Sequence, residues 1–192
     1  MALFKFDTTK VVAGRESIFQ AVESMRSMDS QAYARFESMS MDRSQLFISD
    51  AKFSSYQLMN FILDKFGPSE LYLTIYGISE LAMRNISHRK HSGDIVDLHI
   101  ICSDHIRSVK PAEIQIAEKL ATRFVFYPCH AKMIVIKSIS GKYAAIVSSM
   151  NLNRNNKLEA GTVIFDHQTV QKTIDFLNNI IVCKLARNNS RK

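Results

Sequence analysis

Cysteine is scarce in this 192-residue chain, and the few present stand far apart. Cys102, Cys129 and Cys183 are odd in number and widely spaced, which excludes the disulfide framework of a small secreted protein and suits a reducing cytoplasm. Long apolar runs are missing too. No stretch approaches the roughly 18 to 20 residues that cross a bilayer, and the opening MALFKFDTTK lacks the apolar core of a secretory signal. A soluble cytoplasmic protein is therefore expected. With 46% hydrophobic and 22% charged residues the composition is that of an ordinary globular protein, a poor fit to disordered, collagen-like or coiled-coil chains. The length is near the mode for a single domain, and one domain spanning 1–192 is expected.

Negative charge is what the greater part of the chain has little of. Lys and Arg number 25 against 18 Asp and Glu, a formal charge of +7. Residues 1–50 carry −1 and residues 51–192 carry +8, so the positive field belongs to the C-terminal three quarters. A basic domain points to a polyanionic partner, nucleic acid first and anionic membrane second, although a pI near 9.4 also occurs in proteins that bind neither.

Glycine and proline are absent from residues 15–41, where Ile18, Phe19, Val22, Met25, Tyr33 and Phe36 recur mostly at three- and four-residue steps. That spacing predicts a helix, broken near Asp29, with Met25, Met28, Met39 and Met41 as adaptable packing residues. From Gln45 onward the period changes. Strands are expected at 46–49, 71–77, 95–101 and 123–128, alternating with helices at 54–66, 78–89 and 111–121. Residues 132–138 and 143–149, joined by Ile139-Ser140-Gly141-Lys142, read as a hairpin, followed by a strand at 162–165 and a closing helix at 169–185. The expected fold is α/β, a mixed and mostly parallel sheet sandwiched between helices. It spans a core of 44–185 preceded by a helical extension over 1–43.

His130 and Lys132 open the predicted strand at 132–138 two residues apart, a spacing that directs both side chains to one face. One hairpin later, Ser148, Ser149 and Asn151 supply hydroxyl and amide groups, with Asn156 and Glu159 beyond them. An imidazole, a fixed cation, small neutral donors and a carboxylate suit a phosphate group. Without a family in view, a His and a Lys near a strand end are more often an exposed pair with no catalytic task.

The order HAK (130–132), SSMN (148–151) and NKLEAG (156–161) resembles the phosphodiesterase motif of the phospholipase D superfamily, H-x-K, then D, then G-S-x-N with a trailing N-x-x-E. His130, Lys132, Ser149, Asn151, Asn156 and Glu159 match it. The order of elements over residues 44–185 is similar to that of the small single-motif bacterial endonucleases of the superfamily. Two positions depart: Lys137 stands where the motif has Asp, a residue understood as mainly structural in the family, and Ser148 stands for its Gly. The resemblance implies a metal-independent phosphodiesterase with no cofactor, acting through a covalent phosphohistidine. His130 would be the nucleophile, Lys132 and Asn151 would stabilise the charge on phosphorus, and Glu159 would orient His130.

The superfamily uses two motif copies and this chain has one. The resemblance therefore implies a homodimer in which His130, Lys132, Ser149 and Asn151 of each protomer meet across a two-fold axis. Nucleic acid, DNA or RNA, is the implied substrate, with a catalytically inactive nucleic-acid-binding module as the alternative. Lipid phosphodiester hydrolysis ranks below both, because no membrane-binding amphipathic stretch is evident and no stable membrane association is expected. Lys132, Asn151, Asn156, Arg154 and Lys157 are candidates for substrate phosphates, with Lys52, Lys137, Lys142 and the 184–192 tail as further backbone contacts and Tyr127 as a stacking or a core residue.

Other clusters rank lower. His99, Cys102, His105, Cys129 and His130 have the composition of a zinc site, but the odd spacing of His99 and Cys102 on a strand sends them to opposite faces. The run His88-Arg89-Lys90-His91 falls at a helix end, where cations suit the macrodipole.

Overall fold

The computed structural model describes residues 32–153 and 156–190. The chain divides into two compact units, Met1–Glu37 and Ser38–Lys192. Of the first, residues 32–36 are helical, with the Glu37 N–H donating to the Tyr33 carbonyl at 3.1 Å. The helix expected through residue 41 therefore stops at Phe36, and residues 15–31 of that expectation, with Met25 and Met28, lie outside the described residues. The serines that follow explain the stop. Ser40 donates its hydroxyl to Asp42, and Gln45 Nε2 donates to the Ser40 carbonyl at 2.5 Å, local bonds that compete with a helical ladder.

The second unit is built on one seven-stranded sheet: β1 (Gln45–Asp50), β2 (Ser69–Ile75), β3 (Ile95–Cys102), β4 (Arg123–Phe126), β5 (Met133–Ser138), β6 (Tyr143–Ser148) and β7 (Leu158–Ile164), in the order β1-β7-β6-β5-β2-β3-β4. Helices α1 (Ser55–Phe66), α2 (Glu80–His91), α3 (Ile106–Val109), α4 (Pro111–Leu120) and α5 (His167–Asn189) connect or follow the strands. The mixed sheet flanked by helices is as expected, but its balance is not. Only β2–β3 and β3–β4 pair in parallel, whereas β1–β7, β7–β6, β6–β5 and β5–β2 are antiparallel. Strand–helix alternation yields parallel neighbours only from β2 to β4. β1 runs in the direction of β2 but is the outermost strand on the other side, and β5, β6 and β7 fill the space between them.

Local chemistry fixes the helix ends. Ser54 caps α1 in a capping box, its Oγ accepting from the Gln57 N–H while the Ser54 N–H donates to Gln57 Oε1 at 2.9 Å. Asp166 caps α5 by accepting from the Thr169 N–H at 2.8 Å, and the Thr169 hydroxyl, together with that N–H, holds its carboxyl below the usual carboxylate range. Gly141, with φ of 83°, closes the β5–β6 hairpin.

The central strands of the sheet are buried on both faces, whereas β1 and β7 leave Leu46, Ile48 and Leu158 exposed. Tyr72, Ile101, Val125, Val135 and Ala145 turn to one side and meet Val170, Ile174, Leu177 and Ile181 of α5. On the other side stand Leu71, Leu73, Leu98, Ile100 and Ile146, all buried. Among the described residues no helix is long and apolar enough to cross a membrane.

Candidate active site

The topology gathers chain ends at one edge of the sheet. β2, β3, β4, β6 and β1 finish there, while β5 and β7 begin there. Tyr76-Gly77, Ser103 to His105, Tyr127 to Lys132, Ser149 to Asn151, and Asn156-Lys157 are thus neighbours on that edge.

His130 and Lys132 converge, with Lys132 Nζ 3.4 Å from His130 Nδ1 and donating to the His130 carbonyl at 3.0 Å. The cause differs from the expected one. The strand starts only at Met133, so both residues lie in a loop rather than on one face of a strand. Thr74 holds that loop: its hydroxyl donates to the Ala131 carbonyl at 2.9 Å and accepts from the Met133 N–H at 2.8 Å. The His130 ring rests on Tyr76, centroids 4.0 Å apart, and Lys132 Nζ is 4.6 Å from the same ring centre.

Asn151 completes the pocket. Its backbone carbonyl accepts from Ser55 Oγ at 3.0 Å, its neighbour Leu152 donates to the Gly77 carbonyl at 3.0 Å, and Ile78 and Leu152 form a parallel bridge. Thr74, Tyr76, Gly77, Lys132, Ser148 and Asn151 all border a small cavity, about 10 Å³, with room for about one water. The side-chain oxygen of Asn151 is buried there with no hydrogen-bond partner among the described residues. Ser149 donates its hydroxyl to the Glu159 carboxylate, while its own N–H donates to the Ala160 carbonyl at 3.0 Å. Ser148, in the place of a motif glycine, accepts from the Met150 N–H at 3.2 Å.

Of the residues singled out in the sequence, His130, Lys132, Ser149, Asn151 and Glu159 come to this edge. Asn156 and Lys157 lie beside them and are exposed, and Arg154 lies outside the described residues. Lys52, exposed just past β1, shares the edge. Lys137 and Lys142 do not. Lys137 is five residues along β5, about 16 Å from Lys132, where Nζ pairs with Glu70 Oε1 at 3.1 Å on the facing strand, a bond that raises its pKa. Lys142 sits in the hairpin at the same far edge and donates to the Lys65 carbonyl at 3.1 Å. Tyr127 packs partly against the core, with Lys184 Nζ 5.4 Å from its ring centre.

Thr74, Tyr76, Gly77 and His105 were not singled out for this site from the sequence, although three of the four directly follow the carboxyl end of a strand or form its last turn, the position where α/β sheets place ligands. His105 stacks on Tyr76 with centroids 4.1 Å apart, and its Nδ1 lies 2.9 Å from Ser103 Oγ. His99 and Cys102 do face opposite sides of the sheet: His99 stacks on Tyr72 at 4.5 Å, and burial pushes the Cys102 thiol up to about 12. Among the described residues no three His, Cys, Asp or Glu side chains group as metal ligands. In the run at the end of α2, Arg89 pairs with Asp64 and Asp94, and Lys90 donates to the Val96 carbonyl, all intramolecular tasks.

No protein-family model and no curated protein matches this sequence. Solved structures do match. NucT from Helicobacter pylori aligns at TM-score 0.53 and 15% identity over 74% of this chain and 96% of its own. Nuc from Salmonella typhimurium, a phospholipase D family member, aligns at TM-score 0.52 and 14% identity over 73% and 94%. The fold is phospholipase D-like. A polyphosphate kinase from Porphyromonas gingivalis also aligns, at TM-score 0.53 and 15% identity over 74% of this chain, which spans 26% of the kinase's length. At such identities the likeness is one of fold. Within this phospholipase D-like frame, His130 and Lys132 stand in the loop before β5, Ser149 and Asn151 in the turn after β6, and Glu159 on β7.

Proposed function

We propose that this chain is a metal-independent phosphodiesterase that cleaves nucleic acid as a homodimer. One observation carries the proposal: Lys132 and Asn151, far apart in sequence, border the same small cavity, and the imidazole of His130 is held beside Lys132 by Tyr76. A cation and an amide on one side of a phosphate, with a nitrogen nucleophile next to them, meet the electrostatic need of in-line attack on phosphorus.

In the first step a ring nitrogen of His130 forms a bond to phosphorus as the P–O bond to the leaving group breaks, and His130 of the partner subunit gives that alkoxide its proton. In the second step that same imidazole takes a proton from water, the resulting hydroxide attacks phosphorus, and the N–P bond breaks to release a phosphomonoester. Lys132 and Asn151 hold the nonbridging oxygens, and Glu159 fixes Ser149 beside them. The charge of +8 on residues 51–192 supports a polyanionic substrate, and Lys52, Asn156, Lys157 and Arg154 are its proposed backbone contacts. The inactive binding module rests on Lys137. Its pairing with Glu70 at the far edge leaves the cavity untouched, which favours the enzyme.

The test is incubation of the full chain with fluorescent single- and double-stranded DNA and RNA in excess EDTA. Wild-type protein is expected to cleave and His130→Ala to lose at least about 10³-fold in rate, as for removal of a covalent nucleophile. Binding without cleavage by wild type would overturn the enzyme in favour of the binding module.

A further inference from the structure

A series of aromatic rings, each in contact with a cationic or imidazole side chain, leads away from His130 along the carboxyl ends of the strands. Tyr76, past β2, carries Lys132 at 4.6 Å from its ring centre and His105 at 4.1 Å. Past β3 come His105 itself and Arg107, both exposed. The Arg107 guanidinium lies 3.8 Å from the ring centre of Phe126, the last residue of β4. These elements are consecutive in the sheet, β5-β2-β3-β4, so the series starts at the candidate nucleophile and covers three strand spacings, about 14 Å. His105 and Arg107 are two residues apart, their Cα atoms within about 7 Å.

Taking the phosphodiesterase reading as its basis, we propose that the substrate is single-stranded nucleic acid, and that the strand beside the scissile phosphate runs over Tyr76 and His105 to Arg107. Flat faces are of use only against bases that are themselves free to stack. A duplex keeps its base faces inside and offers phosphates alone, for which exposed lysines would suffice. An imidazole and a guanidinium each combine a stacking face with polar N–H groups, and both are exposed while anchored from beneath: His105 by Ser103 Oγ at 2.9 Å and by Tyr76, Arg107 by Phe126. Bases stack on the outer faces of His105 and Arg107, and the phosphate between them takes their N–H donors.

Fluorescence anisotropy on full-length protein tests this, with His130→Ala as background so that the probe stays intact, and with a 12-nucleotide single strand and the matching 12-base-pair duplex as probes. The single strand is expected to bind at least about tenfold more tightly than the duplex, and His105→Ala/Arg107→Ala to lose at least about tenfold of that affinity, the scale of one or two stacked bases. Arg107→Lys, which keeps the charge and removes the plane, should also weaken single-strand binding. Lys119→Ala/Lys172→Ala, at the opposite edge, should stay within about twofold, which separates the track from general charge. Duplex binding as tight as single-strand binding, or a single-strand affinity unmoved by the His105/Arg107 pair, would overturn the proposal. Cleavage is scored separately. If wild type cleaves nothing in EDTA while the binding pattern holds, the phosphodiesterase fails and the track stands; if it cleaves and the pattern is absent, the track alone falls.

Discussion

Gly77 leaves room for Asn151. A Cβ built at position 77 would lie 2.9 Å from Asn151 Cγ, closer than carbon contacts allow, and a tight 3.1 Å from its Oδ1. Gly77→Ala should therefore push the amide out of the cavity it shares with Lys132. The expected outcome is a cleavage rate down at least about tenfold, with thermal unfolding moved by only a few degrees, since the clash is relieved by one small side chain; a rate equal to wild type would remove Asn151 from the mechanism. His99 provides a second prediction at this scale. Burial, together with the adjoining Arg123, lowers its pKa from 6.5 to about 4, while Asp97 and Glu70 oppose and Lys90 reinforces the shift. The fold thus favours the neutral ring, and the unfolded chain takes up the proton first. The stabilisation is complete above pH 6.5, falls as the pH drops from 6.5 towards 4, and changes no further below that, a loss on the order of 3 kcal/mol. Thermal melts from pH 7.5 to 4.5 should show wild type losing more Tm than His99→Gln, and parallel curves would exclude His99 as the cause.

Between elements, the closest approach is at β7. A Cβ on Gly161 would meet Phe47 Cζ and Ser148 Cβ at 2.5 Å each and the Val147 carbonyl oxygen at 2.7 Å. Since Ser148 stands where the resembled motif has glycine, its added carbon is accommodated by the glycine paired with it across the β6–β7 ladder. Gly161→Ala should separate β7 from β6 and β1 and destabilise the unit by about 1 to 3 kcal/mol, read as a drop in Tm, whereas an unchanged Tm would show that the strands shift freely. Most elements were legible in the sequence. Strands 95–101 and 132–138 and helix 54–66 fell within a residue or two of the observed Ile95–Cys102, Met133–Ser138 and Ser55–Phe66. The first four residues of β7 were not, because Leu158-Glu159-Ala160-Gly161 has neither an apolar run nor β-branched side chains, and its pairing depends on β1 and β6 arriving beside it.

At the scale of the whole molecule, one motif copy means one His130 per chain, so the proposed chemistry needs two chains. Sedimentation at working concentration should give a dimer of 21.9 kDa chains, and a monomer that still cleaves would remove His130 of the partner subunit from the second role. By itself the sequence determined the alternating elements, the buried strands, the basic bias and the residue types of the site, because periodicity, caps and turn residues act over a few positions. The strand order and with it the sheet's mainly antiparallel balance, the approach of Asn151 to Lys132, the part played by Thr74, Tyr76, Gly77 and His105, and the removal of Lys137 and Lys142 to the far end of the strands arise in the folded chain alone. These depend on pairings between distant residues, such as Thr74 with Met133 or Gly77 with Leu152, whose register no local pattern contains.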